Sequence, residues 1–491
     1  MTLHYLLPFP VHTFIYIYTS VLSDMMFKAL VATSALSVAY GSMEIPEHAR
    51  GGTAWKQYHA GLTTKEDVVS QTWNSPIDHF SNDNSTFQQR YYVNAEHWDG
   101  KGPVFLSIGG EGTLTSSSVT SGYMSTLGKN YSALLLSLEH RFYGESIPNG
   151  NALTENYQYL TVEQALADLA TFTDFYKSQD ENAANAKWFA FGGSYPGALA
   201  SWYRMEYPDH TVGSLSSSGV VNCIVNFPEF DEQVSAAIGN RCSDQIKRIN
   251  GAFERTIASG EEGWIKSVDM LHCEKDMWKE DFFYMIADSW SMADQYGAKT
   301  SLCSSIMAVG ADASDEVLMQ TFADFSFSYW GEDFCTGGFY NTEQLADPAR
   351  WDVNSRSWRY QTCDQVSYFN TAPASGSLRS SVVDLDYHLK QCAYVFGKPM
   401  FPASQKLNEK MGGATPHAQR TFYSDFSDDP WQRASVNYPV SSDQPYGLAM
   451  CTDCGHCKDL HTPEESDPQP IKDLREDFEG YLWEWLQDVS A

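Results

Sequence analysis

Basic residues are scarce in this 491-residue chain: 32 Lys and Arg stand against 62 Asp and Glu, a formal charge of −30. A generally basic surface for gripping a phosphate backbone is excluded, so nucleic acid is not an expected partner. Long apolar runs are missing too, and the mean hydropathy of −0.37 excludes a polytopic membrane protein. Internal repeats and low-complexity tracts are absent, which removes solenoids and disordered linkers. What remains is a globular composition, 43% hydrophobic and 14% aromatic, with enough apolar material for a large core. The length corresponds to roughly two to four domains, or to one large fold with an insertion.

The first fifty residues contain a targeting pattern. Lys28 gives a positive start, Ala29 to Val38 an apolar run, and Ala39-Tyr40-Gly41 a small-x-small cleavage site. This predicts a signal peptide over 25–41, with residues 1–24 an extension from an upstream start. Leu6 to Leu22 could instead be an anchor, but Pro8, Pro10 and His12 interrupt it, so no stable membrane insertion is expected. Ten cysteines fit an oxidising compartment. Asn84-Ser85-Thr86 and Asn130-Tyr131-Ser132 are glycosylation sequons. The expected location is the secretory pathway, extracellular or lysosomal/vacuolar, and the acidic balance is compatible with an acidic organelle.

Four short apolar runs read as strands: Lys101 to Gly112, Tyr131 to Leu138, Lys187 to Phe191 and Thr211 to Ser216. Between the second and third, Val162, Ala165, Leu166, Leu169, Phe172 and Phe175 recur at helical spacing. Strand alternating with helix predicts an α/β fold with a parallel-rich sheet. After Asn222 the pattern turns helical, and seven cysteines fall between Cys223 and Cys392. Strand character returns at Arg420 to Ser424, and an amphipathic helix closes the tail at Pro470 to Asp488. The predicted organisation is a core over 60–221 and 401–491, interrupted by a disulfide-containing helical insertion over 222–400.

Ser194 lies in Gly192-Gly193-Ser194-Tyr195-Pro196-Gly197, after a strand and before a helix. A nucleophile raised above a sheet needs such a sharp turn with small neighbours. Pro196 occupies the place of the usual second glycine, so a passive glycine-rich turn is the competing reading. A serine nucleophile needs a base, and the base an orienting acid, in the chain order Ser, Asp or Glu, His. Asp429 and His456, 27 residues apart, fit that order. Asp425, Asp428 and His461 are rivals.

These segments, taken in order, resemble the prolyl-carboxypeptidase-like serine peptidases. The matching stretches are Gln71 with Asp78-His79-Phe80, Phe87 to Tyr92, Gly109 to Gly112, and Glu139 to Gly144. They continue with Gly192 to Gly197, Ser217-Ser218-Gly219, Tyr360 to Cys363, Asp429-Pro430-Trp431 and Gly455-His456-Cys457. Tyr360 to Cys363 and Phe142 look most like the thymus-specific branch. The resemblance implies an α/β-hydrolase core with an inserted helical cap, and Ser194, Asp429 and His456 as the triad. It implies an oxyanion hole from the backbone of Tyr195 with Gly110 or Glu111, and no cofactor or metal. It further implies peptide substrates cleaved at proline near a chain end, by Pro-X carboxypeptidase or dipeptidyl-peptidase action, and homodimerisation. Trp431 is a candidate wall of a proline pocket, or a core residue. Glu111 and Glu139-His140-Arg141 could form an ion-pair network or read a substrate terminus.

By the same resemblance Cys223 pairs with Cys303, Cys273 with Cys335 and Cys363 with Cys392; Cys242, Cys451, Cys454 and Cys457 stay open. Cys454-Gly455-His456-Cys457 also spells a redox dithiol, but only 34 residues follow it, too few for a thioredoxin-like fold. Zinc held by Cys451, Cys454, His456 and Cys457 would need a very tight loop. Two further function classes compete on the same fold: an esterase or acyltransferase, and a non-catalytic binding protein. The first differs only in its acyl substrate; the presence of all three triad residues counts against the second.

Overall fold

A computed structural model describes residues 68–335, 338–349 and 353–488. The expected upstream extension, the signal segment and the first residues of the expected core lie outside the described residues. Among those described, no helix is long and apolar enough to cross a membrane.

One eight-stranded sheet organises the molecule, in the order β1-β2-β4-β3-β5-β6-β7-β8. Its strands are β1 (Gln71–Pro76), β2 (Thr86–Asn94), β3 (Val104–Ile108), β4 (Leu134–Leu138), β5 (Trp188–Gly193), β6 (Gly213–Ser217), β7 (Thr421–Phe426) and β8 (Tyr446–Ala449). β1 and β2 run antiparallel to their neighbours; from β4 to β8 all pairings are parallel. Every residue of β3 to β7 is buried. Strands covered on both faces read as continuous apolar runs, which explains why β3, β4 and β5 stand out in the sequence.

Six helices position the site and its supports: α1 (Val162–Gln179), α2 (Tyr195–Glu206), α3 (Asn240–Ala258), α4 (Lys279–Gln295), α5 (Lys299–Met307) and α6 (Gln469–Gln487). α1 starts where the Thr161 side chain accepts the Gln164 N–H. On one face of β5, Trp188 and Ala190 join the core of α1 and α2; on the other, Phe189 and Phe191 pack on Phe478 of α6. Between β6 and β7 the described chain is helical and adds no strand to the sheet. The whole is an α/β-hydrolase core with a parallel-rich mixed sheet and a disulfide-containing helical insertion.

The disulfides are Cys242–Cys303, Cys273–Cys335, Cys363–Cys392 and Cys451–Cys454. The expected Cys223–Cys303 bridge is therefore corrected. Cys303 on α5 faces Cys242 on α3, because those two helices pack together. Cys223 follows β6, is fully enclosed as a free thiol beside the Tyr368 hydroxyl, and burial pushes it up to about 12. Asn84 and Asn130 are both exposed.

Buried carboxyl groups give the fold a pH dependence. Burial pushes Asp281 up to about 6, against hydrogen bonds from Thr342 and Tyr387. It pushes Asp288 up to about 7, against the pull of Arg379 and Arg359. A carboxyl raised in the folded state keeps a proton that the unfolded chain releases above its ordinary value. Its contribution is full at acid pH and is lost as pH rises through about 6 and about 7. Asp294 and Asp425 are raised by burial in the same sense. His140, His388 and His461, held neutral by burial, oppose this below the ordinary histidine value, but the carboxyls outnumber them. Scanning fluorimetry should therefore give a melting temperature about 3 °C or more higher at about pH 5.5 than at about pH 7.5. The reverse order would contradict this balance.

Candidate active site

The turn between β5 and α2 is built by close backbone approach. Ser194 sits at φ 62°, ψ −129°, a conformation unfavourable for a side chain with a Cβ. It is held there by its N–H to the Ser217 carbonyl (2.9 Å) and by its own carbonyl, which accepts from Ala198 and Val220. A Cβ on Gly192 would lie 2.0 Å from the Pro196 carbonyl oxygen, and one on Gly197 2.9 Å from Gly219 Cα. Small residues are thus required at 192 and 197, while Pro196 fits at the helix start, where no N–H is needed. Gly192→Ala should cost about 3 kcal/mol in chemical denaturation, because a rigid backbone carbonyl must move; a loss under about 1 kcal/mol would mean that the turn is looser than described.

Asp429 follows β7 and caps a short helical turn, its Oδ1 accepting the Trp431 N–H at 2.9 Å. Its Oδ2 accepts His456 Nδ1–H at 2.8 Å, with both side chains fully buried. Donation from Nδ1 leaves Nε2 of the neutral ring as a bare acceptor. That atom is buried and has no hydrogen-bond partner among the described residues. Burial by itself pulls His456 down, but the Asp429 carboxylate, together with Cys457, outweighs it and holds the imidazole well above its usual value, so Nε2 becomes an acceptor once the ring has given up its second proton.

No hydrogen bond joins Ser194 to His456 among the described residues, as is common in unliganded triads. Backbone links them instead. The Ser217 carbonyl that accepts the Ser194 N–H also accepts the Cys457 thiol at 3.6 Å, and Ser218 Oγ accepts the Cys457 N–H at 2.9 Å. The histidine loop and the serine turn therefore share one anchor.

Of the rivals, Asp428 is paired with Lys299 at 2.7 Å. Asp425 is buried beside Ser435 and makes no hydrogen bond to His456, and His461 is buried with no hydrogen-bond partner for either ring nitrogen among the described residues. Of these candidate acids, Asp429 is the one that bonds the His456 ring among the described residues. The disulfide Cys451–Cys454 removes Cys454 from a redox pair with Cys457 and from a thiolate metal set.

Tyr195 is the first residue of α2, so its N–H has no acceptor within the helix. The Gly109 N–H is taken by the Leu138 carbonyl, so it is not a donor for an oxyanion. His140 donates Nδ1–H to the Arg141 carbonyl, so its Nε2 accepts the Tyr195 hydroxyl at 3.1 Å. Burial brings His140 down to about 4 and keeps it neutral. Gln361 bridges this group, donating to the Tyr195 hydroxyl at 2.8 Å and accepting from Tyr143. Glu111 is buried within electrostatic reach of Tyr143, Tyr195 and Tyr368. Glu139 pairs with Arg90, and Arg141 with Asp168, so both belong to the scaffold.

Trp431 packs on Phe227, Phe230 and Tyr368, with its ring centre 6.4 Å from that of His456. Its indole N–H donates to Gln295 Oε1 at 2.9 Å, and the Gln295 carbonyl accepts the His456 N–H at 2.8 Å. Gln295, at the end of α4, thus braces both residues, and sequence reasoning missed it. No local pattern marks a helical glutamine that meets its partners only after the fold closes.

A family model described as serine carboxypeptidase S28 matches residues 75–478. Probable serine protease EDA2 of Arabidopsis thaliana is 33% identical over 449 residues, covering 89% of this chain and 88% of that protein. The thymus-specific serine protease of Mus musculus is 28% identical over 461 residues, covering 86% and 89%. The lysosomal Pro-X carboxypeptidase of Homo sapiens is 25% identical over 500 residues, covering 94% and 95%. The chain belongs to the serine carboxypeptidase S28 family and is a serine-type peptidase.

Proposed function

We propose that Ser194, His456 and Asp429 are the nucleophile, base and orienting acid of an exopeptidase that cleaves peptides at proline near a chain end. The Asp429–His456 bond supports this most: Nδ1–H is committed to Asp429, so in the neutral ring Nε2 is the acceptor, on a loop anchored at the Ser194 turn. Ser194 Oγ attacks the scissile carbonyl while Nε2 takes its proton. The backbone N–H groups of Tyr195 and of Gly110 or Glu111 receive the oxyanion, commonly worth several kcal/mol. The amine leaves with the proton from His456, and water releases the acyl group by the reverse path.

Proline selectivity draws support from the printed name of the lysosomal Pro-X carboxypeptidases and from the aromatic wall at Trp431. Four disulfides and the same relatives support a secretory or lysosomal location. Homodimerisation belongs to the same reading and is checked by light scattering. The test of activity is a mass-spectrometric digest of two peptides, one with proline second from its C-terminus, the other with proline second from a free N-terminus. Loss of one C-terminal residue, or release of an N-terminal dipeptide, is expected from the wild type and not from Ser194→Ala. If neither peptide changes, the substrate class is wrong.

A further inference from the structure

The geometry points to the Cys451–Cys454 disulfide as the positioning element of the catalytic base, and one that a dithiol reductant can release. The inference rests on the reading of His456 as that base.

Cys454 lies two residues before His456, and the four-residue loop it closes is stitched to the segment that carries the acid. Ser427 Oγ donates to the Cys451 carbonyl at 2.9 Å and accepts the Cys451 N–H at 3.1 Å. The Asp428 N–H donates to the Cys454 carbonyl at 3.1 Å, and Asp428 Oδ2 accepts the Cys454 N–H at 3.2 Å. Asp428 is itself fixed by Lys299 of α5. The disulfide loop therefore seats on residues 427 and 428, and the next residue, Asp429, holds His456.

Little slack separates the bridge from the ring. A Cβ on Gly455 would lie 2.1 Å from the Gln295 carbonyl, so the residue between Cys454 and His456 is pressed against α4. The backbone is left-handed on both sides of His456, at Asp453 (φ 58°) and Cys457 (φ 55°). Such non-glycine conformations are strained and persist only where the surroundings over-determine them. Asp453 lies inside the disulfide loop, and the bridge is the covalent part of that constraint.

Cys451 is partly exposed while Cys454 is buried, so a reagent reaches the bridge from the Cys451 side. A thiolate of the dithiol attacks Cys451 Sγ, the S–S bond breaks, and Cys454 leaves as a thiolate that takes a proton. The second thiol of the reagent then displaces the Cys451 thiolate and closes the reagent's own disulfide, so two electrons enter the protein. Cys457 does not substitute for Cys451: it is fully buried, and its thiol is engaged with the Ser217 carbonyl. Once the bridge opens, Asp453 can relax, the His456–Asp429 bond loosens, and the base loses alignment.

The test uses full-length enzyme and a proline peptide that it cleaves. Cys451→Ala/Cys454→Ala should lower kcat about ten- to a hundredfold with KM within about twofold. The acid limb of kcat/KM should move down by about half a pH unit, because Asp429 supports the imidazolium less. Mild dithiol treatment of the wild type, with the opened bridge mapped by mass spectrometry, should reproduce both changes and be reversed by reoxidation. The double variant should not respond to the dithiol. Wild-type kcat and acid limb in the double variant, or full activity with the bridge verified open, would overturn the inference. The reversible wild-type experiment decides if the variant does not fold. An untreated enzyme that neither cleaves nor labels at Ser194 with a fluorophosphonate would overturn the catalytic reading itself, and this inference with it.

Discussion

Replacing Ser194 with alanine is expected to lower turnover by about 10⁴-fold or more while leaving the fold in place. Among the described residues the serine hydroxyl makes no hydrogen bond that the scaffold needs; the turn is held by the backbone of residue 194. Circular dichroism and the melting temperature should therefore match the wild type, and the loss should fall on kcat. Asp429→Asn should cost a similar factor for a different reason. An amide can present N–H to His456 and favour the wrong tautomer, with Nε2 no longer the bare acceptor. The losses should not add: Ser194→Ala/His456→Ala should be about as inactive as either single variant, because the groups act as a unit. A residual rate within about tenfold of wild type for Ser194→Ala would remove serine 194 from the chemistry.

The largest expected effect on stability is at Asp168. Its carboxylate accepts Arg141 Nε at 2.7 Å and Arg141 Nη2 at 2.6 Å, and also bonds His79, Ser75 and Gln89. Arg141 reaches further, to the carbonyls of Pro76, Ile77 and Tyr159, so one guanidinium ties β1, α1 and the loop after β4 together. Burial would raise Asp168, but Arg141 outweighs it and brings the group down to about 2. A carboxyl depressed in this way contributes stability that is complete above its ordinary value and is lost only as pH falls toward about 2. The clamp thus survives any acidic compartment. Asp168→Ala leaves a buried cation without its partner and should cost about 3–5 kcal/mol in denaturant titration. A loss under about 1 kcal/mol would mean that water reaches Arg141 in place of the carboxylate.

Much of the core was legible in the sequence because burial on both faces leaves a continuous apolar trace, as in Leu134 to Leu138 and Trp188 to Phe191. β1 and β8 left no such trace. They are edge strands: QTWNSP has three exposed residues and one large apolar side chain, and YGLA is only four residues long with a glycine among them. The serine turn was legible from its glycines, since their crowding is a local property. Choosing among Asp425, Asp428 and Asp429 was not local. All three lie within five residues at the end of one strand, and only the folded loop decides which carboxylate meets His456. The bridge from Cys303 to Cys242 rather than Cys223 has the same origin, since helix packing and not spacing selects the partner. Gln295 is the extreme case: its role comes from a carbonyl and an amide that meet residues 431 and 456 across the fold.

Covalent labelling tests the central claim most directly. Wild-type enzyme treated with a fluorophosphonate and digested should carry the adduct on the peptide containing Ser194. Asp429→Asn and His456→Ala should label at least about a hundredfold more slowly, and Ser194→Ala not at all. An adduct on another serine, or equal labelling of all four proteins, would contradict the assignment of Ser194 as a nucleophile activated by the His456–Asp429 pair.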